Sequence, residues 1–376
     1  MRTVVCDLFG IEFPIFAFSH CRDVVAAVSR AGGLGVLGAV AYSPEELEVA
    51  LDWLDRHVGD RPYGVDVIVP AKYVGDVAGG LRTGEVASLL PEEHKAFVED
   101  ILRRYEVAPL PEEDRPEGSV DRPMPFSSRS AHDLLEVVWK HPNVKLVANA
   151  LGPAPDYLVA EAHTRGLLVA GLVGKVEHAR RQKAAGVDLV IAQGSEAGGH
   201  TGEIGTMVLV PQIVDAVEPI PVLAAGGIAD GRQVAAALAL GASGVWCGSV
   251  WLTTDEAETH PVVKEKFLAA SSADTVRSRS KTGKPARQLR SAWTDEWDRP
   301  DTPDPLGMPL QSALVARAEA RIARSAPSSE GARALINYFV GQVVGQMNTA
   351  KPAAQVVMEM VEGYIAAATR LAESLD

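Results

Sequence analysis

Cysteine is scarce in this 376-residue chain, and the three cysteines, Cys6, Cys21 and Cys247, are widely spaced with no CxxC pair. Neither a disulfide framework nor a zinc site built on cysteine is therefore expected, and a reducing cytoplasm is the simplest setting. No run approaches the roughly 18 apolar residues that could span a bilayer, and the N-terminus lacks the basic and apolar segments of a signal peptide. We therefore expect a protein that is neither secreted nor embedded in a membrane.

Basic side chains are also in deficit, since 36 Lys and Arg stand against 49 Asp and Glu and give a formal net charge of -13. Such a chain repels polyphosphate backbones and anionic lipids, so neither nucleic acid nor membrane is an expected partner. No GxxxxGK[ST] motif is present, which disfavours a nucleoside triphosphate. Any phosphate must be held locally, by a small number of groups.

What the chain does contain is a regular alternation of short apolar runs with amphipathic helical patterns, which is typical of parallel βαβ units. The eight runs that we interpret as strands cover residues 14–19, 33–39, 63–69, 144–151, 167–173, 189–194, 221–226 and 244–252. This count predicts an α/β fold, a (β/α)8 TIM barrel with its active site at the carboxyl ends of the strands. A doubly wound open sheet is the structural alternative.

The barrel pattern is assigned to residues 1–70 and 131–275 and is interrupted once, after the third strand. The insertion, residues 71–130, contains a predicted helix at 91–105 and a stretch rich in proline and acidic residues. It is either a lid over the catalytic face or a surface loop with no role.

Residues 276–376 are predicted to form an additional helical layer against the barrel, because the helical patterns after the last strand are too many for a barrel alone. These patterns cover residues 260–270, 310–324, 331–346 and 353–375. Helix starts are also readable within the barrel, where Ser43 precedes Pro44 with Glu46 in capping-box position and Asp230 precedes another helix.

The segment AQGSEAGGH, from Ala192 to His200, is the most informative motif. It places an imidazole beyond a glycine-rich turn at the end of a buried strand, where a catalytic base would lie. Glycines there allow a ligand to approach the backbone closely. The alternative is a surface turn that ends in a solvated histidine.

Two further glycine-rich segments, AAGGIADG (224–231) and CGSVWL (247–252), close the last two predicted strands. Backbone N–H groups in such loops can bind an anion, and the helix that starts after Asp230 would add its dipole. Barrels often bind phosphate with these two loops. Neither loop contains Lys or Arg, so the phosphate of a tightly held cofactor would be bound by backbone and the Ser249 hydroxyl.

These motifs together resemble the nitronate monooxygenases, which are FMN-dependent barrel enzymes formerly called 2-nitropropane dioxygenases. The segments that carry the resemblance are AAVSRAGGLGVLGA (26–39), GVDVIVP (64–70), VIAQGSEAGGHTG (190–202), PVLAAGGIADG (221–231), GVWCGS (244–249), TGKPAR (282–287), MPLQ (308–311) and GQVVGQ (341–346). They cover nearly the whole chain apart from the insertion, and the histidine loop is the most specific of them.

The resemblance implies that FMN lies across the barrel mouth, that His200 is the catalytic residue, and that the substrate is an alkyl nitronate oxidised with O2. The residues implied to bind the cofactor are Gln193, Gly198 and Gly199 in the histidine loop, Gly226, Gly227, Gly248 and Ser249 around the phosphate, and Asp66, Trp246 and Cys247 in the strands. The Trp246 ring itself is expected to belong mainly to the core. No metal is expected.

Two positions depart from the family pattern. Asp66 stands where the family often has Asn beside the flavin, and a carboxylate there would repel a reduced, anionic flavin unless it is protonated or paired. At the end of the first strand the chain has His20 within AFSHCRD, instead of an Ala-Pro-Met phrase. His20 is either a second active-site imidazole that binds substrate or a helix-capping or buried structural residue.

His200 could remove a carbon-bound proton from a neutral nitroalkane, because an imidazole that titrates near neutrality suits that task. A nitronate is already ionised, so His200 would then orient it. Two alternatives remain: a flavin-dependent enoyl-acyl carrier protein reductase that uses a nicotinamide cofactor, and a flavin-binding protein without catalysis. The oligomeric state, including a homo-oligomer, stays open. No chemistry is assigned to the other histidines, His57, His94, His132, His141, His163, His178 and His260.

Overall fold

A computed structural model describes residues 1–69, 86, 88–111, 128–150 and 152–375 of the chain. Its centre is a closed barrel of parallel strands in the order β1-β2-β3-β4-β5-β6-β8-β9, with β9 paired to β1. The barrel strands are Ile15–Ser19 (β1), Leu34–Gly38 (β2), Tyr63–Val67 (β3), Val144–Asn149 (β4), Leu168–Val173 (β5), Leu189–Gln193 (β6), Val222–Ala225 (β8) and Gly244–Cys247 (β9). The predicted TIM barrel is confirmed, and the open-sheet alternative is wrong.

Helices surround the barrel and form a second layer at its carboxyl end. Those described are Val4–Phe9 (α1), Arg22–Arg30 (α2), Pro44–His57 (α3), Glu92–Arg104 (α4), Ser128–Val138 (α5), Asp156–Thr164 (α6), Val176–Ala184 (α7), Thr206–Val217 (α8), Gly231–Ala239 (α9), Pro261–Ala269 (α10), Ala292–Trp297 (α11), Leu310–Ser325 (α12), Glu330–Leu335 (α13) and Ala353–Glu373 (α14). The predicted capping box at Ser43 and the predicted N-cap at Asp230 are both present, and Asp230 also forms a capping box with Gln233. Across the described residues, no helix combines the length and apolarity needed to cross a membrane.

The barrel interior is filled by inward-facing side chains from alternate strand positions, among them Phe16, Leu146 and Trp246. Helix α1 was not predicted, and its Val5 and Phe9 join this cluster. A larger apolar layer lies between the strands and the surrounding helices. The barrel interior is therefore a packed core and not a channel.

A separate core unites the insertion with the C-terminal layer. Val98, Ile101 and Leu102 of α4 pack in one cluster with residues of α10 to α13. Arg104 donates two hydrogen bonds of 2.7 Å to the Glu296 carboxylate, whose side chain is 8% exposed. The helical part of the insertion is thus anchored in this second core. The possible lid was predicted over residues 71–130. Most of that segment, residues 71–85 and 112–127, lies outside the described part of the chain, so the lid stays a prediction.

Three expectations about elements near the site are wrong. The strand predicted at 244–252 ends at Cys247, and a 3-10 helix, Ser249–Thr253, follows. The helix predicted at 331–346 ends at Leu335, because the chain then becomes extended and Phe339 bridges to Gln288. The C-terminal layer also contains a hairpin of Thr275–Ser278 (β10) and Ala286–Leu289 (β11), which pairs with Gly199–His200 (β7).

Candidate active site

A cavity of ≈ 380 Å³ opens at the carboxyl ends of the barrel strands, a volume in the range of small-molecule sites. Every residue proposed from the sequence as part of the site lines it: His20, Asp66, Gln193, Gly198, Gly199, His200, Gly226, Gly227, Trp246, Cys247, Gly248 and Ser249. The structure therefore brings together residues that are spread over more than two hundred positions of the chain.

His200 is held from outside the barrel. It belongs to β7, which pairs antiparallel with β11 so that His200 lies opposite Ala286. Its Nε2 forms a hydrogen bond of 2.7 Å with the Thr282 hydroxyl. Burial, and next the charge of Lys284, lower the pKa of His200 to about 4. The expectation that this imidazole titrates near neutrality is wrong, and the ring is neutral at physiological pH.

Two arginines of the hairpin fix the loop that carries His200. The Nε of Arg287 donates to the carbonyl oxygen of Ser195 at 2.8 Å, and Arg277 donates to the carbonyl oxygen of Thr201 at 3.2 Å. The two side chains lie opposite one another in neighbouring strands. Two cations in such a position repel, and burial lowers the pKa of Arg287, so holding the loop has an electrostatic cost. Neither arginine was assigned a role from the sequence.

The rim formed by the last two barrel strands is built from glycine. Gly226 and Gly227 have φ of +98° and +73°, which favours glycine strongly. The N–H groups of Gly227 and Gly248 have no acceptor within the described part of the chain. The Ser249 oxygen accepts from the Gly341 N–H at 2.8 Å, so its own O–H can donate into the cavity. This rim presents several donors to an anion.

The helix that follows Asp230 contributes less than expected. The Asp230 carboxylate accepts from the N–H groups of Arg232 and Gln233, and the Gln233 side chain accepts from those of Ala229 and Asp230. These four N–H groups at the start of the helix are thus used by the helix itself. An anion at the rim would depend on the glycine N–H groups and Ser249.

Asp66 is a buried carboxyl group that faces the cavity from β3. It is 5% exposed, and no hydrogen-bond or ion-pair partner for its carboxyl is present among the residues described. Burial raises the pKa of Asp66 to about 8, because the charged form loses its hydration without gaining a counter-ion. The side chain is therefore neutral at physiological pH and can donate a hydrogen bond.

His20 opens onto the same cavity at the end of β1. Its Nδ1 donates to the carbonyl oxygen of Gly38 at 3.0 Å, since a carbonyl can only accept. Burial lowers the pKa of His20 below its ordinary value, and because Nδ1–H donates to Gly38, the neutral form of the ring carries its lone pair on Nε2. The helix-capping alternative is wrong, because Cys21 occupies that position. His20 lines the cavity, and its role as a second active-site imidazole stays a prediction.

Trp246 and Cys247 contribute mainly buried surface. The Trp246 ring lies between those of Phe16 and Phe18, with centroids 6.4 and 6.1 Å away, so it belongs largely to the barrel core as expected. Burial raises the pKa of the Cys247 thiol to about 12, so it is not a thiolate nucleophile.

The outer wall of the cavity comes from segments to which the sequence assigned no role. The lining residues that were missed there are Thr282, Met308, Tyr338, Phe339, Gly341 and Val343. Three of the motifs that carried the family resemblance, at 282–287, 308–311 and 341–346, contain or adjoin these positions. The family resemblance was therefore the one signal that these segments belong to the site. Their local sequence pattern did not predict that they pack over the barrel mouth.

Glu196 was also missed, although it lies in the histidine loop. Its carboxylate accepts from the backbone N–H of Thr206 at 2.9 and 3.0 Å and thereby caps α8. Its carbonyl oxygen accepts from Gln342 N–H at 2.9 Å, which joins the loop to the outer wall. Glu196 thus orders the loop, and the helix end that it caps is not available to a ligand.

The shape and polarity of the cavity suit a cofactor with a phosphate and a planar ring system. The glycine rim offers anion donors, while neutral His20, Asp66 and His200 surround a mainly apolar space. A neutral imidazole can donate or accept a hydrogen bond to a small polar substrate. No metal ligand set is evident among the described residues that line the cavity.

Comparisons with known proteins agree with this description. The family model of the nitronate monooxygenases matches residues 2–363. A Mycobacterium tuberculosis protein, named provisionally as a monooxygenase, is 61% identical over 367 residues, 97% of each chain. A protein of Staphylococcus saprophyticus, named as a probable nitronate monooxygenase, is 32% identical over 84% of this chain and 86% of its own.

Two solved structures resemble the whole chain. A nitroalkane oxidase from Streptomyces ansochromogenes aligns with a TM-score of 0.78 and 29% identity over 98% of this chain and 99% of its own. FabK from Thermotoga maritima aligns with a TM-score of 0.73 and 30% identity over 100% and 99% of the two chains.

Proposed function

Because this chain belongs to the nitronate monooxygenase family, we propose that it is an FMN-dependent oxidoreductase that oxidises alkyl nitronates with O2. The nitronate is the electron donor and O2 the final acceptor. The observation that carries the proposal is that one cavity brings His200 together with a glycine rim whose N–H groups at Gly227 and Gly248 have no acceptor in the described ranges of the chain.

The residues present fit FMN. The rim of Gly226, Gly227 and Gly248, with the Ser249 hydroxyl, suits a phosphate held without a basic side chain. Asp66 does not conflict with an anionic group nearby, because its carboxyl is protonated at neutral pH. When bound, FMN would supply the redox centre that takes electrons from the substrate and passes them to O2.

The protein groups bind and orient the substrate. With a pKa of about 4, His200 is a weak acceptor for a carbon-bound proton, which favours a substrate that is already ionised. Its neutral ring can then hydrogen-bond to the nitronate and hold it in one orientation. Phe339 and Met308 line the same cavity and offer apolar contact for an alkyl group.

The decisive experiment records the absorbance of protein reconstituted with FMN and desalted, then repeats it under argon after adding a preformed nitronate. We expect a yellow protein whose visible band bleaches with nitronate and returns with air, while oxygen is consumed in proportion to substrate. A colourless protein would overturn the proposal.

Enoyl reduction with a nicotinamide cofactor is the second candidate, and the likeness to FabK at similar identity favours keeping it. Anaerobic NADH or NADPH would bleach the band in a reductase and would leave it oxidised in a nitronate oxidase. A protein that binds flavin but consumes no oxygen on any nitronate would instead match the binding-protein alternative.

A further inference from the structure

A second cluster of ionisable side chains lies at the other end of the barrel, where α3 packs near the start of β4. Glu48 and Asp52 are four residues apart on α3 and so share one face of the helix. His141 precedes β4. Ligand atoms of these three residues all lie within 4.8 Å of one another.

His141 is built into this cluster rather than placed there loosely. Its side chain is 4% exposed, and its Nδ1 lies 2.7 Å from Oδ2 of Asp55, while Oδ1 of Asp55 accepts from the Tyr63 hydroxyl at 3.0 Å. Because Nδ1–H donates to the carboxylate, a neutral ring carries its lone pair on Nε2. That Nε2 is buried and has no hydrogen-bond partner in the part of the chain that the structure describes.

The carboxylates are arranged around this nitrogen. Oε1 of Glu48 is 4.0 Å from Nε2, too far for a hydrogen bond. Lys140 donates to Oε2 of the same carboxylate at 3.1 Å, which leaves Oε1 directed at the imidazole. Asp52 is exposed and gives an ion access from solvent.

We propose that Glu48, Asp52 and His141 bind a divalent transition-metal ion, with Zn²⁺ the best match. One imidazole nitrogen and two carboxylate oxygens are ligands that Zn²⁺ accepts, with water in a fourth position. Ligand atoms about 2.0–2.2 Å from such an ion lie a little over 3 Å apart, so small rotations of the Glu48 and Asp52 side chains close the site. Asp55 supplies the carboxylate that commonly orients a metal-bound histidine.

The site lies away from the cavity and would stabilise the fold rather than take part in the reaction. An ion there would join α3 to the start of β4. No chemistry was assigned to His141 from the sequence, because its carboxylate neighbours come from a helix more than eighty residues earlier. The rival explanation is a protonated His141 that forms a buried ion pair with Asp55 and Glu48 without any metal.

The test titrates ZnCl₂ into the full-length protein after treatment with a chelator, and measures heat of binding and the thermal unfolding midpoint. We expect one saturable equivalent of Zn²⁺ and a rise in Tm. Asp52→Asn and Glu48→Gln should each weaken binding at least about tenfold. Glu136→Gln, which removes an exposed carboxylate from the neighbouring α5, should bind as the wild type does.

His141→Gln alters a buried residue and risks misfolding, so the exposed Asp52 variant is the primary test. Nitrogen NMR of the imidazoles adds a direct readout, since Zn²⁺ should shift Nε2 of His141 while its ring stays neutral. The proposal is overturned if no saturable binding occurs, if both carboxylate variants bind Zn²⁺ as well as Glu136→Gln does, or if His141 is an imidazolium that Zn²⁺ leaves unchanged.

Discussion

The Nε2 of His200 and the hydroxyl of Thr282 form a hydrogen bond of 2.7 Å across 82 positions of the chain. His200 follows a barrel strand, whereas Thr282 belongs to the connection between β10 and β11. The orientation of the candidate catalytic ring is therefore set by a segment outside the barrel.

Replacing His200 with Ala should abolish most turnover while FMN stays bound. The loss of an orienting group at the reacting centre should lower kcat/KM by about 10² or more. Steady-state oxygen consumption with a preformed nitronate measures this, with flavin content checked by absorbance. His57→Ala, the same change at an exposed histidine of α3, should be without effect. Wild-type turnover in His200→Ala would remove the residue from the mechanism.

The protonation of His200 can be followed directly. Because burial lowers its pKa to about 4, its ring should stay neutral from pH 8 down to about pH 5 and become charged only below that. The measurement is the ¹³Cε1 shift in histidine-labelled protein, assigned by comparison with His200→Ala. A midpoint near 6.5 would contradict the burial of the ring. With a folded pKa of about 4, His200 lowers the free energy of unfolding only as the pH falls from about 6.5 towards 4, where the unfolded state binds the proton and the folded state does not.

Asp66→Asn should stabilise the protein increasingly as the pH rises. With a pKa of about 8, folded Asp66 stays protonated where the unfolded carboxyl has ionised, so the wild type loses stability between pH 4 and pH 8. Asparagine does not titrate. The difference between the two urea unfolding midpoints should therefore grow from pH 4 to pH 8 and be constant above it. A difference that is independent of pH would mean that Asp66 is charged in the folded state.

Thr282→Val should reduce turnover without loss of FMN. Valine keeps the shape of the side chain but removes the hydrogen bond to His200, so the ring can rotate away from its productive orientation. We expect kcat/KM to fall about tenfold, in line with roughly 1.4 kcal/mol for one hydrogen bond. Thr282→Ser restores the hydroxyl and should recover most activity. Equal rates in the Val and Ser variants would show that the hydrogen bond has no kinetic role.

Gly227→Ala should weaken FMN binding beyond any effect on folding. Gly227 has φ of +73°, so a Cβ there is strained by about 1–2 kcal/mol. Gly59→Ala is a matched control, because Gly59 has φ of +68°, no atom within 4 Å of the added Cβ, and a position outside the cavity. Both variants should lose similar stability by urea unfolding, but only Gly227→Ala should raise the Kd for FMN. Equal Kd values would place the phosphate elsewhere.

The barrel and its inner wall were predictable from sequence because each strand has a recognisable pattern within its own few residues. Runs such as Leu189–Gln193 are short, apolar and bounded by glycine, and the carboxyl ends of parallel strands in a barrel necessarily meet. That rule placed His20 and His200 at one end of the barrel, whereas Asp66 was assigned to the site through the family resemblance.

The outer wall was not predictable by the same reasoning. The helical pattern of residues 331–346 is interrupted because residues around Phe339 pair with β11, a long-range contact that overrides local preference. The low pKa of His200 was also missed, since burial and the neighbouring Lys284 depend on how that wall folds. A local sequence pattern predicts helices and strands. The burial of a side chain such as His200 depends on residues that are distant in the chain.

The cavity is lined by two stretches of polypeptide, one before and one after the hairpin of β10 and β11. The glycine rim lies wholly before residue 250, while Met308, Tyr338 and Phe339 all come after it. Recombination with a homologue at a crossover near residue 275 would therefore exchange the apolar wall of Met308, Tyr338 and Phe339 and retain the glycine rim together with His20 and His200. The apolar contacts that the cavity offers can therefore change from one relative to another while the glycine rim stays the same.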